Sequence, residues 1–280
     1  MPVSPRIGFM QGRLSPQVDG RIQAFPWATW RQEFSLAASI GLSVMEWTLD
    51  AARLEENPLM TRPGRSEIRE LAGRYSILIP SVTGDCFMQE PFWKVVGDQS
   101  KSRLAMLEQV VEASREAGVG LVVVPLVDNG AIADPKEEER FRNGIDQLIP
   151  LLQSSKIMLA IESDLPPDAQ VRLVSSFPKE CVAINFDMGN SASLGWSPEK
   201  ELRTVGARIG NVHVKDRLRG GGTVPLGQGA VEFPAVFREL DAAGYRGRVI
   251  IQAARALDGD HVGLLRTYAG FVETFLGKKR

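Results

Sequence analysis

An alternation restricts this chain more than any single motif. Short apolar runs, several of them rich in β-branched residues, fall at residues 7–10, 44–47, 77–81, 121–125, 158–162, 182–187, 209–215 and 249–251. Several are apolar at nearly every position, as strands covered on both faces must be. Between them lie stretches of helical period. Leu104, Leu107 and Val111 share one helix face, as do Ile145, Leu148, Ile149 and Leu152. Further helices are expected over 30–40, 66–74, 166–174, 197–205, 234–243 and 263–276. Gly41, Gly118 and Gly244 stand just past helix ends, where a left-handed residue is needed. Eight strands alternating with eight helices over 280 residues give about 35 residues per unit, the arithmetic of a (β/α)8 TIM barrel in one α/β domain, 1–280. The competing architecture is an open doubly wound sheet. Its phosphate fingerprint is missing after the first strand, where Gly8-Phe9-Met10-Gln11-Gly12 does not fit.

Composition narrows the function. Lys and Arg number 33 against 34 Asp and Glu, a balance that argues against a surface built to neutralise phosphates, so no nucleic-acid partner is expected. No apolar run approaches the roughly 18 residues of a membrane span, and residues 1–13 contain no apolar signal core. Cys86 and Cys181 are too few for a disulfide framework, which points to a reduced, cytoplasmic setting. The chain has only two histidines, His213 and His261.

In a TIM barrel the chemistry gathers at the C-terminal strand ends. Four consecutive strands end at Glu162, Asp187, His213 and Gln252. Neighbouring strands lie about 4.8 Å apart, so these side chains can converge on one ion. Apolar runs that end in charges sharing one face need compensation, and a divalent cation supplies it. Three oxygen donors and one imidazole suit Mn²⁺ first, with Mg²⁺, Co²⁺ or Zn²⁺ as alternatives.

Ile161-Glu162, Asn185-Phe186-Asp187-Met188-Gly189-Asn190 and His213-Val214-Lys215-Asp216 resemble the motifs of the xylose isomerase-like TIM-barrel superfamily. The opening Gly8-Phe9-Met10-Gln11-Gly12-Arg13-Leu14-Ser15-Pro16, the stretch 19–27, the run from Gly220 to Gly227 and Gly229 are similar to its sugar phosphate isomerase/epimerase branch, near L-ribulose-5-phosphate 3-epimerase and hexulose-phosphate isomerase. The resemblance implies one divalent metal held by Glu162, Asp187, His213 and a fourth glutamate. Position 252 carries Gln instead. A glutamine carbonyl can ligate a hard cation, but it brings no charge and takes no proton. In the family's 3-epimerases two glutamates act from opposite faces, so Gln252 departs at a catalytic position.

The chemistry so implied removes a proton next to a ketose carbonyl and passes through an enediolate, with the cation polarising the carbonyl. Glu162 is the expected base. Asp85, Asp128, Asp216 and His261 are the loop candidates for a second. Arg13, Glu46, Asn190, Lys215, Arg217 and Arg219 are expected to hold substrate, a sugar or sugar phosphate. The glycine-rich run with Lys215, Arg217 and Arg219 is the expected phosphate cradle, with Arg13 a further candidate. Phe87, Phe92, Trp93, Trp47 and Trp196 are candidate walls or lids against the sugar. The reading is a metal-dependent sugar isomerase or epimerase, compatible with a homo-oligomer. Its rivals are a degenerate barrel that binds without turnover and a lyase or dehydratase using the same chemistry. A repair endonuclease of the apurinic-site type shares the superfamily, but two histidines and a net charge of −1 cannot supply its zinc cluster and basic groove.

Overall fold

The computed structural model describes residues 3–276. Seven parallel strands come first in the chain: β1 (Ile7–Met10), β2 (Val44–Leu49), β3 (Leu78–Gly84), β4 (Leu121–Leu126), β5 (Met158–Ser163), β6 (Val182–Asp187) and β7 (Ile209–Val214). A two-stranded antiparallel ribbon follows, β8 (Asp216–Arg217) with β9 (Thr223–Val224), and β10 (Val249–Ile251) is the eighth barrel strand. β10 pairs with both β7 and β1, so the sheet closes on itself. The expected TIM barrel is present, and the open sheet is excluded.

The helices are α1 (Gln32–Ser39), α2 (Arg62–Tyr75), α3 (Asp85–Gln89), α4 (Gly97–Ala117), α5 (Pro135–Ser155), α6 (Pro167–Ser175), α7 (Met188–Leu194), α8 (Pro198–Val205), α9 (Phe233–Ala242) and α10 (His261–Leu276). Helix α2 starts earlier than its apolar period suggests because Thr61 accepts the Gly64 amide as an N-cap and Pro63 suits the first turn. Periodicity did not reveal α3 and α7. Each is too short to show a period, and α7 starts where Asp187 caps the Asn190 amide.

Alternate residues of each strand face outward into a shell packed under the helices, with Phe9, Met45, Trp47, Val122, Ile161 and Val212 among its buried members. The opposite parity faces the lumen. There Met10, Val44 and Ile250 form a separate small cluster, and a Cβ on Gly8 would lie 2.7 Å from both Ile250 Cδ1 and Val44 Cγ1. Other lumen positions are polar: Glu46, Ser81, Asn185, Asn211 and His213, all buried. A lumen lined this way is a rigid holder for charged groups at the strand ends.

Gly64 tests the packing at the start of α2. Alanine normally favours a helix over glycine by about 1 kcal/mol. Here a Cβ would meet the Pro58 carbonyl oxygen at 2.2 Å, and this is backbone, which cannot swing aside. Gly64→Ala is therefore expected to lower stability by about 1–3 kcal/mol in urea unfolding; a gain would show that residues 57–61 yield.

Candidate active site

Glu162 at the end of β5, Asp187 at the end of β6 and His213 in β7 are all buried, and one ligand atom from each lies within 4.8 Å of the others. His213 Nδ1 is 3.2 Å from Glu162 Oε2. Asn185 Nδ2 donates to that same Oε2 at 2.7 Å, and Asn190 Nδ2 donates to Oε1 at 2.8 Å. The Glu162 carboxylate is thus gripped at both oxygens. Burial pushes its pKa up, but His213 and, beyond it, Lys215 and Asn185 outweigh that and hold it below the usual carboxylate range.

His213 is itself fixed from across the lumen. Its Nε2 lies 2.7 Å from Glu46 Oε1 on β2, and neither side chain has any exposed surface. Glu46 Oε2 accepts from Ser81 Oγ at 2.7 Å and Asn211 Nδ2 at 2.9 Å. Asn211 also donates to Asn185 Oδ1, which closes a network from β2 through β7 to β6. Burial works against charge on the imidazole. The Glu46 and Glu162 carboxylates overrule it and raise the His213 pKa to about 10. The pairing registers of β2 with β3 and β6 with β7 each shift once, between Val44 and Glu46 and between Ile184 and Asn185. Such irregularities re-aim side chains, and both stand next to members of this network.

Glu46 was expected to hold substrate. It has no surface to offer, and its two oxygens are engaged by His213, Ser81 and Asn211. Its carboxylate faces the histidine ring and not open space.

Lys215 Nζ lies 2.7 Å from Asp187 Oδ2 and donates to Gln252 Oε1 at 3.2 Å. Gln252, just past β10, therefore reaches the site through the ammonium. Asp187 Oδ1 accepts the Asn190 amide at 2.9 Å, whereas its buried Oδ2 makes no hydrogen bond of acceptable geometry. Arg217 Nη1 donates to Asn190 Oδ1 at 2.9 Å, which places Arg217 beside Glu162 at one remove.

These residues fit a divalent cation. Two carboxylates and an imidazole converge, one carboxylate oxygen lacks a well-aligned donor, and Glu46 can hold the Nε2 proton, so that Nδ1, now against Glu162 and Asn185, is the nitrogen that would ligate. Gln252 could add its carbonyl only if Lys215 gave it up.

The remaining candidates lie elsewhere. Asp216, named as a possible base, is fully buried. It accepts the amides of Gly227 and Gly229 on Oδ2 and of Val231 on Oδ1. The glycine-rich run expected to cradle phosphate is thus already organised around a carboxylate. Arg219 is exposed and lines a separate cavity with Trp196 and Glu201 on the outer side of β6. Phe92 and Trp93 pack on Phe141, and the Trp47 indole donates to Asn57, so these aromatics anchor loops rather than face a sugar. Asp128 is exposed. Asp85 is buried with its pKa raised to about 7, by burial first and then by Asp50 and Glu162. Arg13 is buried too; burial and then Arg255 lower its pKa to about 9. Sequence reasoning missed Asn185, Asn211, Ser81 and Arg255. The first two could have been read from lumen parity, two residues before Asp187 and His213.

One buried acid behind the site carries a pH signature. Glu201 on α8 accepts from Ser191 of α7 at 2.9 Å, and burial raises its pKa to about 7. With a folded pKa above the unfolded one, its contribution to stability is complete below about pH 4.5 and is lost as pH rises through about 7. Glu201→Gln is therefore expected to be more stable than the wild type by about 2 kcal/mol at pH 8 and to lose that advantage by pH 4, read from urea midpoints. A pH-independent difference would contradict the burial cause.

Comparison with known proteins gives a consistent picture. A family model described as xylose isomerase-like TIM barrel matches residues 34–264. The putative L-ribulose-5-phosphate 3-epimerase SgbU of Haemophilus influenzae is 26% identical over 247 residues, which cover 80% of this chain and 83% of that one. Among solved structures, a D-psicose 3-epimerase determined in the presence of D-fructose superposes with a TM-score of 0.77 at 16% identity, covering 98% of this chain and all of that one. The IOLI protein with a bound zinc atom superposes with a TM-score of 0.76 at 13% identity, covering 96% and 99%. With its eight-stranded barrel and this match across most of its length, the chain belongs to the xylose isomerase-like TIM barrel family.

Proposed function

We propose that the chain is a ketose isomerase or epimerase that works with one divalent metal ion on a sugar or sugar phosphate. The observation that carries this reading is the buried convergence of Glu162, Asp187 and His213 at adjacent strand ends. The names of the relatives support it, and so does the zinc bound by a structural neighbour. When bound, the metal would polarise the substrate carbonyl and lower the barrier to removing the adjacent proton. Mn²⁺ suits the donor set, and Mg²⁺, Co²⁺ and Zn²⁺ are the alternatives.

The protein's own part is positional. Glu162 takes the proton. Asn185 and Asn190 fix its carboxylate from both sides, so a near-attack geometry costs little at the moment of reaction. Glu46 keeps the His213 ring in one orientation. Lys215 and Arg217 stand at the mouth, where they can hold substrate oxygens. Gln252 bears on the outcome, because it takes no proton and its amide oxygen accepts from Lys215. That favours chemistry with Glu162 as the single carboxylate base over a pair of glutamates on opposite faces. It also keeps a second reading open, a barrel that binds a sugar without turning it over.

Incubating the Mn²⁺-loaded protein with a panel of ketoses and ketose phosphates in D₂O tests the reading. Deuterium should enter next to the carbonyl, and Glu162→Gln should slow that exchange by about 10²–10⁴-fold. Ligand binding with no exchange for any panel member would decide for the binder, and no effect of metal on either would remove the metal assignment. Glu46→Gln should weaken Mn²⁺ binding about 10–100-fold by calorimetry, since a ligand's orienting partner typically carries that much. Unchanged affinity would separate Glu46 from the metal site.

A further inference from the structure

Nine buried side-chain nitrogen or oxygen atoms lack a hydrogen-bond partner among the described residues. Three of them, Arg13 Nε, His261 Nδ1 and Tyr268 Oη, belong to residues that line one cavity. It lies past the end of β10, between the loop after β1 and the first turns of α10, and is small and partly open to solvent. Arg255 completes its polar lining.

The chemistry of the lining points to an anion. Arg13 and Arg255 are 6% and 9% exposed. Every hydrogen bond that either guanidinium makes goes to a neutral acceptor. Arg13 reaches the Ile22 carbonyl, the Gln23 side chain and the Gln252 carbonyl. Arg255 reaches the carbonyls of Ile22, Gly12 and Ser15. Two buried positive groups side by side, without a carboxylate bonded to either, are costly unless something negative joins them. Two buried acids act on the pair through space, Asp85 and Glu33 on Arg13 and Glu33 on Arg255, without bonding either guanidinium. Both oxygens of Glu33 accept the Gly12 amide, and one also accepts the Leu14 amide; Asp260 caps the Gly263 amide, and Asp258 accepts the Asp260 amide. Of these two guanidinia, Arg13 Nε is the nitrogen left buried without an acceptor among the described residues. The Tyr268 hydroxyl faces the Leu226 amide and lacks an acceptor for its proton, and His261 adds a ring nitrogen. An oxyanion with several acceptor oxygens satisfies such a set, where a single water would serve only part of it.

We infer that this cavity is an oxyanion pocket for the phosphate monoester of the substrate. The inference rests on the sugar reading above and extends it. Arg13 links the two places, since its Nη2 contacts the Gln252 carbonyl while the Gln252 amide oxygen accepts from Lys215. A ketose with its carbonyl end at Glu162 on β5 would thus have a charged anchor three strands further around the barrel, at β10. The glycine-rich run, occupied by Asp216, is then not the phosphate site.

Equilibrium binding of orthophosphate to the whole protein tests this without turnover, by thermal shift and ³¹P line broadening, with acetate as a carboxylate control. Orthophosphate should bind with a Kd on the order of 1 mM, and acetate should not compete. Arg255→Met should abolish binding. Because Arg255 also holds loop carbonyls, the milder His261→Gln/Tyr268→Phe double variant decides if that protein fails to fold, and it should weaken phosphate about tenfold. Glu162→Gln should leave phosphate binding unchanged, so loss of deuterium exchange and loss of phosphate binding are separate failures. Absence of phosphate binding, equal binding of acetate, or undiminished binding in the double variant would each overturn the pocket.

Discussion

The contact on which the site depends runs across the inside of the barrel. Glu46 on β2 meets His213 on β7 at 2.7 Å, with both side chains out of reach of water. A buried carboxylate and imidazole in contact are tolerated only when their remaining atoms are bonded. Ser81 and Asn211 complete Glu46, while Glu162 and Asn185 face the other ring nitrogen. Five strands, β2, β3, β5, β6 and β7, are therefore tied together by polar groups. The lumen is a satisfied polar network, and only its outermost atoms are turned to chemistry.

Part of this could be read from the residues in order. Strand ends can be located in a linear chain, so Glu162, Asp187 and His213 were identifiable as one group before any coordinates. The role of Glu46 was not, because position 46 says only that a carboxylate follows a strand. Whether it faces solvent or the far wall depends on register, and the shift between Val44 and Glu46 is a property of the paired sheet. The folding of the glycine-rich run was not legible for a related reason. Its composition promised free amides, but Asp216 folds back to take those of Gly227, Gly229 and the following Val231, and a fold-back over eleven to fifteen residues leaves no periodic trace. Arg255 sits in an alanine-rich stretch without a motif around it; only its neighbours in space make it notable.

Charge explains how Gln252 is accommodated. A third carboxylate beside Glu162 and Asp187 would suit Lys215 as an ion-pair partner. The neutral amide leaves the ammonium pairing with Asp187 alone and donating to a dipole. One negative charge fewer at the rim weakens the pull on any cation, whether metal or lysine, and makes the two competitors for the same carboxylate oxygen. The substitution thus changes the balance of occupancy as well as the inventory of bases.

The barrel closes where β10 meets β1, through only three residue pairs, Ile7 with Val249, Gly8 with Ile250 and Phe9 with Ile251. Above this short seam, Arg13 and Arg255 reach between the loops that follow the two strands. The first and last parts of the chain are thus latched by the same cations that face the cavity. Anything that settles between those cations would relieve their mutual repulsion and tighten the latch, so occupancy there would be coupled to the cohesion of the whole hoop.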